Sequence, residues 1–154
     1  MNITSAEIDR NNLLYNLGLL TRRWRQVLDS EFQTVGLTDA TWRPLLHLNM
    51  LGNGVRQKDL AGSIGIEGPS LVRLLDTLIA KELIKRSEDV TDRRAKLLSL
   101  TPDGELLVTR IKEIVFTLES RLLSPFSDSE IAQFGQFVLS LESIVSDARK
   151  QIKR

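Results

Sequence analysis

Two stretches in the middle of the sequence combine side chains of the types and spacing that contact nucleic acids. In residues 57–75 a short helix, a glycine and a second helix are expected to follow one another. The candidate contacts are Gln57 and Lys58 at the start of the first helix, and Pro69, Ser70 and Arg73 at the start of the second. Short polar groups beside one arginine are suited to base edges and phosphates in a major groove.

The apolar residues of the same stretch are spaced as in a helix-turn-helix. Leu60 and Ile64 would point inward from the first helix, while the small Ala61 would let the second helix cross close above it. Gly65 is placed at the turn, where the chain needs a positive φ. The inner face of the second helix is then formed by Leu71, Leu74, Leu75 and Leu78. The alternative is an ordinary corner between two helices, because small residues and glycine also serve general helix packing.

A charged hairpin is predicted directly after the helix-turn-helix. Residues 83–87 and 95–100 have the short pattern of two strands, and the segment between them carries Asp92, Arg93 and Arg94, with Lys96 just beyond it. An arginine at the end of a narrow extension is suited to the minor groove, which is narrow and strongly negative over A·T-rich DNA. Alternatively, the tip is a solvated hairpin in which Asp92 and Arg94 pair with each other and hold its shape.

The composition excludes several classes of protein. The chain has 154 residues, enough for one domain, and its 42% hydrophobic and 27% charged residues are the balance of a globular protein. The longest uncharged stretch, residues 44–55, is too short to span a bilayer, and we expect no secretory signal in the first ten residues. The absence of cysteine and the single histidine exclude disulfides, thiol chemistry and a His-based metal cluster. We therefore expect one cytoplasmic domain, residues 1–154, without a cofactor or a metal ion.

Helical periodicity and turn residues predict six helices around the hairpin. The predicted helices span about 5–35, 39–51, 57–64, 69–81, 102–123 and 128–150. Thr38 and Thr101 are suited to the N-caps of two of them, and Ser127 with Glu130 has the spacing of a capping box. The predicted fold class is mainly α: a winged helix-turn-helix lobe, about residues 38–101, with a two-stranded β wing, flanked by helices at about 5–35 and 102–152.

The last predicted helix has an apolar seam with alternating steps of three and four residues. The seam consists of Ile131, Phe134, Val138, Leu141, Val145, Ala148 and Ile152. A seam of three heptads usually meets a partner helix, so we expect a homodimer. The alternative is packing within one chain, against the first helix.

With these residues in view, the sequence resembles the MarR family of bacterial transcription regulators, most closely its SlyA/RovA-like branch. The resemblance covers roughly residues 15–101 and is most specific in two blocks, Pro69-Ser-Leu-Val-Arg73 and Asp92-Arg-Arg-Ala-Lys96. Further matching positions are Trp24-Arg25, Leu37-Thr38 with Trp42, Gln57 with Leu60-Ala61, Ile64-Gly-Ile-Glu67, Leu75-Asp76 with Leu78, Leu83-Ile84 and Leu100-Thr101.

The resemblance implies a winged-helix homodimer that binds double-stranded DNA at pseudo-palindromic promoter sites, with the first and the last two helices as the dimerisation region. It assigns Ser70 and Arg73 to the major groove and Arg94 to the minor groove, with Asp92 orienting Arg94. One departure is visible in Lys81-Glu82-Leu83, because relatives often have glycine just after the recognition helix. A non-glycine residue in a left-handed conformation there costs roughly 1 kcal/mol.

The resemblance also implies a cleft that binds an aromatic carboxylate such as salicylate. The candidate residues are Arg22, Arg25 and Trp42, an aromatic ring with convergent guanidinium groups. The alternative is that the tryptophan belongs to the core and the arginines are solvated.

Together these features predict a sequence-specific DNA-binding transcriptional regulator and not an enzyme. The sequence has no histidine pair, cysteine, glycine-rich phosphate loop or nucleophile elbow. Two alternatives stay open: a non-enzymatic helical dimerisation or protein-interaction module, and a less specific architectural DNA-binding protein.

Overall fold

Six helices and three short strands make up the part of the chain, residues 7–66 and 68–152, that the computed structural model describes. The helices are α1 (Leu13–Thr34), α2 (Asp39–Leu51), α3 (Gln57–Ile64), α4 (Pro69–Ala80), α5 (Pro102–Leu123) and α6 (Asp128–Ile152). The strands are β1 (Val55–Arg56), β2 (Ile84–Glu88) and β3 (Lys96–Leu100). The fold is mainly helical with a small sheet, as the sequence predicts. None of these helices is both long and apolar enough to cross a membrane.

α2 to α6 lie within two residues of their predicted bounds. The predicted capping box of α6 is present: the backbone N–H of Glu130 donates to Ser127 Oγ at 3.1 Å, and that of Ser127 donates to Glu130 Oε2 at 2.8 Å. Thr38 occupies the N-cap of α2, but its hydroxyl lies 3.2 Å from the hydroxyl of Thr41 and does not cap the backbone.

The first helix begins later than the sequence predicts, at Leu13 instead of about residue 5. The backbone N–H of Asp9 donates to Asn12 Oδ1 at 2.9 Å, and that of Asn11 donates to Asp9 Oδ1 at 2.8 Å. Such side-chain acceptors compete with helical hydrogen bonds for the backbone N–H groups. These polar residues therefore form a turn before α1, while residues 5 and 6 lie outside the described residues.

The predicted hairpin gains a third strand, so the sheet has the order β1-β3-β2. β2 and β3 pair antiparallel from Ile84 opposite Leu100 to Glu88 opposite Lys96. β1 adds to the other edge of β3, with Arg56 opposite Leu97. The sequence-based prediction of two strands missed β1 because two residues are too few to show a period.

The connection from α4 to β2 contains the left-handed residue that the sequence leads one to expect. Glu82 has φ 58°, the backbone N–H of Leu83 donates to Leu78 O at 3.0 Å, and that of Glu82 donates to Ile79 O at 2.9 Å. This pair of bonds is a Schellman motif, which usually has glycine at the left-handed position. Thr101 caps α5 as predicted, since its hydroxyl accepts the N–H of Gly104 at 3.0 Å, and it also donates to Glu82 O at 2.6 Å.

Gly104 is required by the close approach of α5 to this connection. A Cβ at this position would overlap with the backbone carbonyl oxygen of Leu83. The N-terminus of α5 is therefore packed directly against the start of β2, the first strand of the wing.

The chain divides into two compact units, with the boundary between Val115 and Phe116 inside α5. The core of the first unit includes Phe32, Leu45, Leu48, Leu60, Leu71, Leu75, Leu78, Leu98, Val108 and Ile111, all at most 2% exposed. These residues come from α1, α2, α3, α4, β3 and α5. The helix-turn-helix and the wing are therefore positioned by one apolar core, which also includes α1 and the start of α5.

The second unit, from Phe116 onward, contains the end of α5 and all of α6. In the single chain α6 buries none of its residues. Large apolar side chains of its seam are open to solvent, with Phe134 53% and Val145 48% exposed, and the neighbouring Phe137 is 48% exposed. An apolar face of this length on one helix is unusual for a monomer.

Candidate nucleic-acid interface

The helix-turn-helix predicted from the sequence is formed by α3 and α4. Gly65 caps α3 with φ 80°, and its N–H donates to Ala61 O at 2.9 Å. Leu60 and Ile64 are buried at the positions expected of inward-facing residues. α4 begins at Pro69, where the missing N–H removes no helical hydrogen bond.

The outer face of α4 carries the predicted contact residues and one more. Pro69, Ser70 and Arg73 are exposed, and no ion pair found among the described residues involves Arg73. Val72 is 40% exposed and lies three residues after Pro69, on the same helical face. Sequence analysis did not single out Val72, although the spacing of the buried leucines could have placed it outside. These residues therefore offer the guanidinium group of Arg73, the hydroxyl of Ser70 and the two methyl groups of Val72.

The base of the wing is organised by Asp89, which sequence analysis did not single out either. Asp89 Oδ1 accepts the backbone N–H of Thr91 at 3.0 Å and its hydroxyl at 2.8 Å, while Oδ2 accepts Nη2 of Arg56 at 3.2 Å. These bonds, the backbone N–H of Thr91 first among them, hold the pKa of Asp89 below its usual value. The carboxylate is therefore charged at neutral pH and joins the wing to β1.

Asp92 shapes the wing tip through the backbone of Arg94, and none of the ion pairs found among the described residues joins its carboxylate to the Arg94 guanidinium. Its Oδ1 accepts the backbone N–H of Arg94 at 3.0 Å, and its carbonyl accepts the N–H of Ala95 at 2.9 Å. An Asp side chain reaches the backbone N–H two residues later without strain. This explains why the Asp92 carboxylate accepts this N–H and not the mobile guanidinium of Arg94. Arg93 and Arg94 are exposed, and Lys96 Nζ lies 3.7 Å from Glu88 Oε1.

The wing, α3 and α4 form one continuous surface. A depression of about 370 Å³ lies between the wing and the start of α3, lined by Arg56, Gln57, Lys58, Asp92, Arg94, Ala95 and Lys96. A second depression, of about 330 Å³, lies between α3 and α4, lined by Gln57, Lys58, Ala61, Gly68, Leu71 and Val72. Gln57 and Lys58 line both of them. The structure thus brings the predicted residues at the start of α3 together with those of the wing, beside the outer face of α4.

The residues predicted to bind an effector, Arg22, Arg25 and Trp42, do not lie together as the predicted DNA contacts do. Trp42 is 3% exposed, its indole N–H donates to Asp29 Oδ1 at 2.9 Å, and its ring centre lies 4.9 Å from that of Phe32. Arg22 and Arg25 are exposed on α1. The burial and the satisfied N–H of Trp42 favour the core interpretation over a role in an open ligand cleft.

His47 links α2 to α3 through a hydrogen-bonded contact. Its Nδ1 lies 2.7 Å from Ser63 Oγ, and its pKa is lowered by partial burial and by the nearby Arg43. Arg43 in turn donates to Ile64 O at 2.6 Å, at the end of α3. Across the described residues, no group of three or more potential metal ligands is found. The histidine therefore helps to hold the first helix of the helix-turn-helix.

Comparisons with known proteins agree with this geometry. A model of the MarR family matches residues 35–95. The transcriptional regulator PA3341 has 35% sequence identity and a TM-score of 0.78, covering 88% of this chain and 98% of that one. A complex of S. aureus MepR with DNA has 27% identity and a TM-score of 0.70, covering 89% and 98% of the two chains. The transcriptional regulator SlyA has 21% identity and a TM-score of 0.74, covering 88% and 95%, a similarity that shows the fold alone.

Proposed function

The chain belongs to the MarR family of transcriptional regulators, and we propose that it is a sequence-specific regulator that binds double-stranded DNA. The observation that carries the proposal is the continuous surface on which α4, the start of α3 and the basic wing meet. Gln57 and Lys58 line both depressions of that surface. Each of the three elements contributes an exposed polar or basic side chain.

In this proposal the two parts of the surface contact different grooves. The start of α4 enters the major groove, where Ser70 and Arg73 contact base edges and the Val72 methyl groups are suited to a thymine methyl. The wing reaches the adjacent minor groove with Arg94, while Arg93 and Lys96 contact phosphates. The complex of MepR with DNA supports DNA binding by this fold, because that relative is 27% identical with a TM-score of 0.70.

We further propose that the protein acts as a homodimer on pseudo-palindromic promoter sites. The support is the exposed apolar seam of α6, which a second copy of the same helix would cover. Two copies related by a two-fold axis would present two α4 helices to two half-sites.

The homodimer is tested by Leu141→Asp, which places a charge in the middle of the seam. We expect monomer in light scattering at micromolar concentration, because an unpaired charge is disfavoured in an apolar contact. Ser140→Asp adds the same charge one residue away, off the seam, and should stay dimeric. If Leu141→Asp remains dimeric, α6 is not the interface.

The SlyA/RovA-like subgroup is the finer part of the proposal. Its support is the sequence resemblance in the blocks Pro69–Arg73 and Asp92–Lys96. We propose that the effector is an aromatic carboxylate such as salicylate. The exposed guanidinium groups of Arg22 and Arg25 are available to bind its carboxylate. Loss of a salicylate-induced change in DNA affinity in the double Ala variant of these arginines would support them, and an unchanged response would exclude them.

The DNA-binding function is tested by selecting duplexes from a random library and titrating the enriched site against salt. We expect a palindromic site, and affinity that falls steeply with salt because counterions are released from the contacted phosphates. Salt-dependent binding without enrichment would favour the architectural alternative. Absence of salt-dependent DNA binding would favour the dimerisation or protein-interaction module.

A further inference from the structure

One ion pair connects the base of the wing to the start of the helix-turn-helix. Arg56 Nη2 lies 3.2 Å from Asp89 Oδ2, although the two residues are 33 positions apart in the chain. Arg56 ends β1 and is the N-cap residue of α3, while Asp89 follows directly after β2. The Asp89 side chain is 15% exposed and that of Arg56 is 42% exposed.

The Asp89 carboxylate is also fixed from the wing side. Its second oxygen accepts both the backbone N–H and the hydroxyl of Thr91. The backbone N–H of Asp89 donates to Ala95 O at 3.2 Å, which closes the loop that contains Arg93 and Arg94. A displacement of this carboxylate would therefore be transmitted to the whole tip of the wing.

The ion pair lies beside the depression that separates the wing from α3. Arg56 belongs to the wall on the α3 side, and Arg94 belongs to the wall on the wing side. A wing that swings about its strands would change the separation of these walls. The separation determines how far Arg94 lies from the groove that it would contact when α4 is bound.

We propose that Arg56 and Asp89 are positioning residues, which hold the wing at one distance from α3 so that Arg94 and α4 engage the same DNA together. This inference rests on the proposed DNA-binding function. Neither residue needs to touch a base for the pair to act. Asp89 contributes although its negative charge lies on a surface that would face a polyanion.

Because Asp89 is negatively charged, the direction of the change in DNA affinity when that charge is removed tests the inference. Removing an acidic side chain from a DNA-facing surface should strengthen binding through electrostatics alone. A positioning role requires the opposite, because Asp89→Asn breaks the ion pair while an amide oxygen can still accept from Thr91. Glu88→Gln is the matched control: it removes the same charge one residue away, from a side chain whose partner is Lys96.

The experiment measures the affinity of full-length variants for two duplexes that differ only in A·T-rich or G·C-rich flanks. We expect Asp89→Asn to bind the A·T-rich duplex about three- to fivefold more weakly, the range set by a partly exposed ion pair. The loss should be smaller on G·C-rich flanks and absent in an Arg94→Ala background. Glu88→Gln should bind as well as the wild type or more tightly. Arg56→Lys keeps a positive charge beside Asp89, so it should retain part of the affinity that is lost when the pair is broken. A melting temperature equal to that of the wild type separates positioning from general destabilisation.

The inference is overturned if Asp89→Asn binds as tightly as Glu88→Gln, or if its loss adds in full to that of Arg94→Ala. A wild type that binds no duplex would instead contradict the proposed function. In that case amide hydrogen exchange still decides the role of the pair. Faster exchange at Arg94 and Ala95 in Asp89→Asn than in Glu88→Gln supports it, and equal exchange overturns it.

Discussion

The recognition helix α4 and the wing present similar side chains to the proposed DNA surface, but different interactions hold them in place. α4 is anchored by Leu71, Leu75 and Leu78, which are at most 2% exposed. The tip of the wing is held by hydrogen bonds to Asp89 and by the ion pair between Asp89 and Arg56. These polar contacts lie close to solvent. Apolar burial depends little on salt, whereas exposed ion pairs are weak and screened.

This difference implies a division of roles within one surface. A helix fixed by the core presents its side chains in one orientation, as reading base edges requires. The strands of the wing share the core through Leu98, but a tip held by a few polar contacts can adjust, as reading groove width requires. The following changes test this division, in order of decreasing expected effect.

Leu75→Ala should cause the largest loss, because it removes a fully buried side chain from the face of α4 that packs on the core. We expect the free energy of unfolding to fall by about 2–5 kcal/mol, measured by urea denaturation. Val72→Ala, on the exposed face of the same helix, should change it by less than about 0.5 kcal/mol. Equal effects of the two variants would mean that α4 is not anchored by its leucines.

Arg73→Ala should lower the affinity for the selected site by about 1–3 kcal/mol without a change in unfolding free energy. The loss should be the same on A·T-rich and G·C-rich flanks, because the proposed contact is in the major groove. Arg94→Ala should instead lose more affinity on A·T-rich flanks. Arg110→Ala, an exposed arginine of α5 outside the surface, is the control and should bind like the wild type. Wild-type affinity of Arg73→Ala would remove α4 from the interface.

Features set by neighbouring residues were predictable from the sequence. The bounds of α2 and α3 follow from glycines and apolar spacing within each segment, and the capping box of α6 spans only Ser127 to Glu130. The predicted contact residues on α4 are exposed for the same reason, since helical periodicity alone determines which face is buried.

Features that join distant residues were not predictable. β1 exists because Val55 and Arg56 pair with residues of β3 that follow about 40 positions later, and two residues carry no pattern of their own. The contact of Asp89 with Arg56 also joins residues far apart in the chain, 33 positions from each other. Asp92 is a different case, because its bond to the backbone N–H of Arg94 is the short-range contact typical of an Asp side chain in a turn.

Glu82→Gly tests the connection between the two regions and should give the smallest effect, a gain in stability. Glu82 joins α4 to β2 with φ 58°, in a Schellman motif that glycine satisfies without steric strain. Glycine relieves strain of about 1 kcal/mol, but its greater entropy in the unfolded chain offsets part of that gain. The free energy of unfolding should therefore rise by about 0.5 kcal/mol at most. Glu82→Ala removes the same exposed carboxylate but keeps the strain, so it should stay close to the wild type in the same urea titration. DNA affinity should be unchanged in both variants, because the hydrogen bonds from the backbone N–H of Leu83 and from the hydroxyl of Thr101 already fix the path of the chain. A gain in Glu82→Ala equal to that in Glu82→Gly would show that the charge, and not the left-handed backbone, destabilises the connection.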